Sequence, residues 1–123
     1  MANARILYLD DEEALVFIVK RMLQHLGHTV SGFTNAEAAL RAFSAAPDDF
    51  DLVLSDLSMP GMSGIDFATA VLALRPQMRV VIASGYVNSA DADLARAAGV
   101  TRVIQKPGTL NEMRQLIADL LPP

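Results

Sequence analysis

Three acidic residues stand where short, mostly apolar runs of the sequence end. Asp10 and Asp11 follow residues 6–9, and Asp56 follows residues 52–55. If the two runs are neighbouring parallel strands, the three carboxylates meet at one edge of the sheet. Like charges that close raise one another's pKa unless a cation holds them. We therefore infer a site for a divalent metal ion, with one acid left free to do chemistry.

A hydroxyl and an ammonium group stand at the ends of two later apolar segments, at Ser84 and Lys106. With the three carboxylates, this set suits a phosphoryl group attached to a carboxylate. A hard cation with oxygen ligands neutralises phosphoryl oxygens, and a lysine pairs with another oxygen as a point charge. The serine can donate to a third oxygen, and the remaining carboxylate is the nucleophile that forms an acyl phosphate. Such transfer depends mostly on positioning and charge stabilisation, so no separate strong base is needed.

The segments that must position these groups alternate between strand-like and helix-like patterns. Strands are predicted at residues 6–9, 28–33, 51–55, 79–83 and 101–105, and helices at about 12–26, 34–44, 63–74, 88–98 and 109–121. The first, third and fourth strands are nearly continuous apolar runs, as in parallel strands covered on both faces. The prediction is an α/β fold: a doubly wound, five-stranded parallel sheet of order 2-1-3-4-5, flavodoxin-like, in three α/β/α layers. Ligands of such sheets bind at the switch point between strands 1 and 3, where the three acids fall.

Local signals mark several helix ends. Segments beginning at Thr34, Ser63 and Thr109 have the form of a capping box, and Gly27 is expected at the position that ends the first helix. Residues 47–49 are predicted to be a loop. The face of the first helix predicted to be buried consists of Leu15, Ile18 or Val19, Met22 and Leu26.

Length and composition bound the class of protein. The chain has 123 residues, 52% of them hydrophobic, and we expect one domain over residues 1–123, with its core at about 4–121 and no output domain in this chain. It has no cysteine, so a disulfide or thiolate metal site is excluded, and a cytoplasmic location is expected. No apolar run approaches the roughly 20 residues of a membrane span, so no membrane contact is predicted. A net charge of −4 argues against direct binding of nucleic acid.

Each candidate residue also has an ordinary structural explanation. Asp10 and Asp11 could cap the first helix, because acids stabilise a helix N-terminus. Alone, Asp56 could be a loop acid and Lys106 a solvated lysine, and it is their occurrence together that favours the metal site. The two histidines and the arginines on predicted helices are interpreted as solvated surface residues, namely His25, His28, Arg21, Arg41, Arg75, Arg96 and Arg114.

The chain resembles a response-regulator receiver domain of two-component signalling, in the single-domain style of the chemotaxis regulators. The resemblance covers essentially the whole chain. It rests on four pieces in order, namely Leu-Asp-Asp-Glu at residues 9–12, Asp56 with Met-Pro-Gly at residues 59–61, Ser84 with Gly85, and Lys106 with Pro107. Each piece alone is weak, but the four together at these spacings are specific.

The resemblance implies a role for each matched acid. Asp56 would be the phosphoacceptor, and Asp10 and Asp11 would hold Mg²⁺, Asp11 more directly and Asp10 partly through water. Asp56 and the backbone carbonyl of Ser58 would complete the protein ligands of the ion.

On the later strands the resemblance implies that Ser84 is the switch hydroxyl and that Lys106 holds a phosphoryl oxygen. The Lys106–Pro107 bond is expected to be cis, since X–Pro bonds are where cis occurs at modest cost. Two positions depart from the family pattern. Val103 stands where relatives often carry an aromatic residue that reports phosphorylation, and Tyr86 is bulky where many relatives are small or polar. We hypothesise that Tyr86 partly shields the acyl phosphate and slows its hydrolysis.

The resemblance also implies partners. A histidine kinase or histidine phosphotransfer protein would donate the phosphoryl group to Asp56. A face built from the fourth strand, fourth helix, fifth strand and fifth helix would then bind or release a downstream protein, whose identity the sequence does not give. We expect a signalling domain and not an enzyme with a separate substrate. It would be a monomer, or a weak dimer through the face formed by the fourth helix, fifth strand and fifth helix.

Three alternatives stay open at this point. A phosphatase that forms an aspartyl phosphate typically needs a second acid two residues after the nucleophile, where this chain has Ser58. A flavodoxin-like FMN binder would need a hydroxyl-rich loop after the first strand, where the acids at residues 10–13 would repel a phosphate. A non-phosphorylated interaction module could dispense with one or more of the acids, the hydroxyl or the lysine.

Overall fold

A computed structural model describes residues 3–121 as alternating strands and helices. The elements are β1 Arg5–Leu9, α1 Glu13–His25, β2 Thr29–Phe33, α2 Ala36–Ala45, β3 Leu52–Asp56, α3 Gly64–Leu74, β4 Val80–Ser84, α4 Ser89–Ala97, β5 Arg102–Gln105 and α5 Leu110–Leu120. A short 3₁₀ turn, Pro47–Asp49, stands where the sequence predicts a loop. Every predicted helix and strand is present, with ends that shift by no more than two residues. None of these described helices is long and apolar enough to cross a membrane.

The strands form one parallel sheet in the order β2-β1-β3-β4-β5, which confirms the predicted α/β fold. β1 and β3 are neighbours, with Leu9 opposite Ser55. β4 follows with Ala83 opposite Asp56, and β5 closes the sheet with Gln105 opposite Ser84. The carboxyl ends of these four strands therefore meet at one edge, as the site hypothesis requires.

Apolar side chains cover both faces of the sheet, because helices pack on each face. One core cluster joins the sheet to α2, α3 and α4 through Phe43, Phe67 and Ala95. The other joins it to α1 and α5 through Leu23 and Met113. Full burial of a large apolar side chain contributes about 1.5–3 kcal/mol, so these clusters supply the free energy that keeps the strand ends in register.

Helix α1 buries the predicted face with Val19 and not Ile18, and it adds Val16 and Leu23 to that face. Val19, Met22 and Leu26 pack against the core as predicted, whereas Ile18 is 51% exposed. Val16 also packs against the core, and Leu23 is fully buried. The physical reason is a close approach to β2. A Cβ atom at Gly32 would lie 2.7 Å from the Val16 side chain, so the missing side chain of glycine lets α1 settle with Val16 facing the sheet.

The helix caps agree with the predictions except at α2. The hydroxyls of Ser63 and Thr109 accept hydrogen bonds from backbone N–H groups and cap α3 and α5. Gly27 has a φ angle of +95° after the end of α1. Helix α2 is capped by Asn35 instead of Thr34, because the asparagine side chain reaches the N–H three residues later and is at least as good a cap as threonine.

Two residues interpreted from sequence as solvated have partners in the fold. Arg75 Nη1 donates to the carbonyls of Pro47 and Phe50, at 3.0 and 2.8 Å, and so ties the end of α3 to the segment before β3. His28 Nδ1 accepts a hydrogen bond from the Ala4 N–H at 3.0 Å, and burial lowers the pKa of this imidazole. Both side chains therefore support the backbone near the amino-terminal edge of the sheet.

Candidate functional site

Three carboxylates converge at the carboxyl-terminal edge of the sheet. Asp10 follows β1 and Asp56 ends β3, and because these strands are neighbours the two acids lie close together. One carboxylate oxygen of each of these residues and of Asp11 lies within 4.8 Å of the others. Asp10 and Asp56 are buried and Asp11 is exposed, so solvent reaches the cluster at Asp11.

Lys106 lies between two of these acids. Its Nζ atom is 3.1 Å from Asp10 Oδ2 and 3.2 Å from Asp56 Oδ1. Its backbone N–H donates to the carbonyl of Ser84 at 2.8 Å. This hydrogen bond extends the pairing of β4 with β5 by one residue and fixes the position of the lysine backbone. The predicted neighbourhood of the lysine and the acids is therefore present in the structure.

The Lys106–Pro107 peptide bond is trans, and the expectation of a cis bond is wrong, since no peptide bond within residues 3–121 is cis. The trans form of an X–Pro bond is preferred by about 0.5–1 kcal/mol. In this backbone the lysine reaches both acids with the trans bond. Pro107 itself lines a shallow groove between β5 and α5 together with Ile104 and Leu116.

The charges at this edge do not balance. Three carboxylates face one ammonium group, which leaves two negative charges without a partner among these groups. Burial raises the pKa of the Asp56 carboxyl, the Lys106 charge opposes that shift, and the neighbouring Asp10 adds to it. Burial alone would lower the pKa of Lys106, but hydrogen bonds and charges from both acids outweigh it and raise that pKa.

The donor set fits a hard divalent cation. All three side-chain ligands are carboxylates, and Mg²⁺ and Ca²⁺ prefer oxygen ligands. Asp10, Asp11 and Asp56 would hold the ion, and its two charges would offset the excess negative charge of the cluster. Ser58 lies two residues beyond Asp56 in an exposed loop, and the role of its carbonyl as a ligand stays a prediction.

The Ser84 hydroxyl is bonded within its own loop. Ser84 Oγ donates to the carbonyl of Tyr86 at 2.8 Å and accepts from the Tyr86 N–H at 3.3 Å. The residue is buried at the end of β4, one position beyond the Ala83 that lies opposite Asp56. The hydroxyl therefore stands near the acid cluster but must leave Tyr86 before it can bond a group on Asp56.

The two positions that depart from the family pattern are placed differently from each other. Tyr86 is 76% exposed, so its ring projects into solvent while its backbone holds Ser84. Val103 is half-buried in β5 and packs against the core cluster on the α2–α4 side. The modulating role of each residue stays a prediction.

Two residues that sequence reasoning missed support the acids. The Tyr8 hydroxyl donates to Asp10 Oδ2 at 3.0 Å, and a phenol two residues before an acid that directly follows a strand was a usable signal, since alternate residues of extended backbone share a face. Gly64 donates its N–H to the Leu57 carbonyl at 2.8 Å, and a Cβ there would clash with the Asp56 carbonyl. No sequence signal identifies that close approach.

Comparison with known proteins agrees with this arrangement. The sequence model of the response regulator receiver domain matches residues 6–118. The chain is 36% identical to the sensory/regulatory protein RpfC of Xanthomonas campestris over 129 aligned positions, which cover 96% of this chain and 16% of RpfC. The chain thus spans about a sixth of the length of that relative.

Solved structures show the same fold. A response regulator receiver domain protein from Clostridium thermocellum is 29% identical, with a TM-score of 0.88 and coverage of 95% of this chain and 93% of that one. The response regulator TrrA of Thermotoga maritima, solved in complex with Mg²⁺-BeF, is 28% identical with a TM-score of 0.84, and the match covers 96% and 99% of the two chains. With the sheet order, the acid cluster and these matches in agreement, the chain belongs to the response regulator receiver domain family, the signalling domains of two-component systems.

Proposed function

We propose that this receiver domain accepts a phosphoryl group on Asp56 from a phosphorylated histidine of a histidine kinase or histidine phosphotransfer protein. Asp10, Asp11 and Asp56 bind the Mg²⁺ ion that the reaction uses. The observation that carries the proposal is the position of Lys106 Nζ, 3.2 Å from Asp56 Oδ1 and beside a cluster of three carboxylates. A phosphoryl oxygen on Asp56 needs a positive partner, and this ammonium group is already within reach.

In the proposed reaction an oxygen of Asp56 attacks phosphorus. A new O–P bond forms while the P–N bond of the donor breaks, and the imidazole leaves with the electron pair of that bond. The magnesium ion, when bound, neutralises charge on the phosphoryl oxygens. The Leu57 N–H donates to Asp56 Oδ1 at 3.0 Å and, with Lys106, holds the carboxylate in one orientation for the attack.

Phosphorylation would then change the partners of two side chains. Lys106 Nζ would shift part of its contact from Asp10 to a phosphoryl oxygen, and the Ser84 hydroxyl would leave the Tyr86 carbonyl for another. Because the Ser84–Tyr86 hydrogen bonds hold the start of the β4–α4 loop, their loss moves the surface formed by α4, β5 and α5. A downstream protein that distinguishes the two arrangements of that surface reads the signal.

The comparisons support the metal part of the proposal. TrrA, similar over 96% of this chain, was solved with Mg²⁺-BeF bound. In this chain the three side chains that could hold such an ion are all carboxylates, and their excess negative charge matches a divalent cation.

The test is phosphorylation without a protein partner. The purified chain is incubated with Mg²⁺ and acetyl phosphate, and intact mass is followed with time. The expected result is a gain of one phosphoryl group that is lost in Asp56→Asn and retained in Asp66→Asn, a control that removes an exposed acid on α3. Phosphorylation of Asp56→Asn at the parental rate, or steady turnover of phosphate monoesters by the parent, would overturn the proposal.

A further inference from the structure

The phenol of Tyr8 is buried next to the acid cluster. The residue is the last but one of β1 and is 4% exposed, and its hydroxyl donates to Asp10 Oδ2 at 3.0 Å. Tyr8 faces the side of the sheet covered by α1 and α5. Asp10 follows the end of β1, two residues later, and its N–H continues the pairing with β2 by donating to the Phe33 carbonyl at 3.1 Å, so its side chain lies on the same side as Tyr8. Leu54, which lies opposite Tyr8 on β3, belongs to the same core cluster and faces the same side. The ring is therefore fixed by the core while its hydroxyl reaches the site.

The Asp10 carboxylate is held by three donors. Tyr8 Oη and Lys106 Nζ both contact Oδ2, at 3.0 and 3.1 Å, and the Glu12 N–H donates to Oδ1 at 3.0 Å. Asp10 is fully buried, so each of these bonds replaces water that the carboxylate has lost. Two of the three donors are fixed in place by the backbone or the core, and only the lysine is on a long flexible side chain.

The Lys106 ammonium group contacts two acids and cannot keep both contacts unchanged if it also binds a phosphoryl group. It contacts Asp10 and Asp56 at nearly equal distances, and the proposed function moves it toward a phosphoryl group on Asp56. When it moves, Asp10 Oδ2 loses its charged partner. Tyr8 is the donor that remains on that oxygen, and its bond does not depend on the state of Asp56.

We propose that Tyr8 is a positioning residue that holds the Asp10 carboxylate in the orientation that binds Mg²⁺, both before and after Lys106 turns to the phosphoryl group. The proposal rests on the proposed function. A phenylalanine would fill the same space in the core, so the buried hydroxyl is present for its bond, and its acceptor is an acid of the metal cluster. Hydrogen bonds to the ligands of a metal ion commonly set its affinity, and their loss typically costs about 10–100-fold.

The first test is the affinity for Mg²⁺ alone, measured by calorimetry on the metal-free chain. Tyr8→Phe should bind Mg²⁺ about tenfold more weakly than the parent. The control is Ile6→Val, which lies on the same face of the same strand, loses a buried methylene and leaves Asp10 untouched. It should lose stability in urea but keep the parental affinity. Parental affinity in a folded Tyr8→Phe variant would show that the hydroxyl only stabilises the core, and would overturn the inference.

The second test keeps Tyr8 intact and uses it as the reporter. The chain has no tryptophan and two tyrosines, so in Tyr86→Phe the fluorescence of Tyr8 is observed alone. Mg²⁺ should change this emission with the dissociation constant that calorimetry gives. Emission that stays constant while calorimetry detects binding would contradict a link between Tyr8 and the metal ligand. A parent that binds no Mg²⁺ would overturn the metal site of the proposed function as well, whereas a failure confined to the Tyr8 experiments leaves that function standing.

Discussion

Asp51 and Asp56 are the same type of residue at the two ends of β3, and their surroundings shift their pKa values in opposite directions. Burial would raise the pKa of Asp51, but its Oδ2 accepts the Arg5 N–H at 2.8 Å and lies 3.4 Å from Arg5 Nε, and the net effect lowers that pKa. Asp56 shares one lysine with Asp10, and its pKa is raised.

The difference separates an acid whose charge is matched within the chain from the acid to which we assign the proposed function. At the amino-terminal edge the charge of Asp51 is matched within the chain, and the pair ties β1 to the start of β3. At the carboxyl-terminal edge the acids outnumber the cation, so the folded chain carries an electrostatic cost that a metal ion or a phosphoryl group can change. Perturbed and incompletely matched acids of this kind are typical of functional sites.

The largest expected effect, on the rate of phosphorylation, comes from removing the ammonium group of Lys106 at the carboxyl-terminal edge of the sheet. Lys106→Met should slow phosphorylation by acetyl phosphate about a hundredfold, the size usual for loss of one donor that stabilises developing charge. Arg5→Met, which removes the cation paired with Asp51, should leave the rate unchanged. The measurement is a time course of intact mass at saturating Mg²⁺. Equal rates for Lys106→Met and the parent would mean that the ammonium group takes no part in the transfer.

The next effect is on the loop that follows Asp56. Gly64→Ala should lower the free energy of unfolding by about 1–3 kcal/mol, because the added methyl group would clash with the Asp56 carbonyl. Gly85→Ala is the matched control, since a Cβ there meets open space and should change stability by no more than about 0.5 kcal/mol. Urea denaturation measures both. Equal stabilities of the two variants would show that the loop yields at Gly64 without cost.

A smaller effect is expected at the other end of β3. Asp51→Asn should cost about 1 kcal/mol of stability near pH 7 by removing the charged acceptor of Arg5, with phosphorylation unchanged. Because folding lowers the pKa of Asp51, its stabilisation is complete above the ordinary carboxyl value of about 3.9 and is lost as pH falls through the lower folded value. Urea curves of parent and variant should therefore converge in acid. A stability gap that widens below pH 4 would reverse this assignment.

The smallest effect concerns Tyr86. Tyr86→Ala should speed hydrolysis of the acyl phosphate by no more than about threefold, or ~0.6 kcal/mol in activation free energy, because the ring is mostly exposed and shields little in this arrangement. Tyr86→Phe keeps the bulk of the ring and should retain the parental lifetime. Release of phosphate from the purified phosphoprotein measures both. Release from Tyr86→Ala that is no faster than from the parent would end the shielding hypothesis.

Much of this molecule could be predicted from the sequence because its signals are local. Each of these signals acts within a few residues. The apolar runs located the strands and helices, and the capping hydroxyls of Ser63 and Thr109 and the glycine after α1 marked helix ends. The acids at the ends of β1 and β3 then had to meet, because parallel neighbours bring their carboxyl ends to one edge.

Only the tertiary structure decided the contacts between residues that lie far apart in the chain. Lys106 bonds an acid 96 positions away, Arg75 bonds the backbone before β3, and α1 turns its Val16 face inward because Gly32 leaves room for it. No local pattern encodes such contacts, since they depend on the three-dimensional packing of several elements at once. The sequence by itself therefore determined that the three acids and Lys106 reach the site. The packing of the sheet and helices determined which atoms bond one another there and brought the Tyr8 hydroxyl to Asp10.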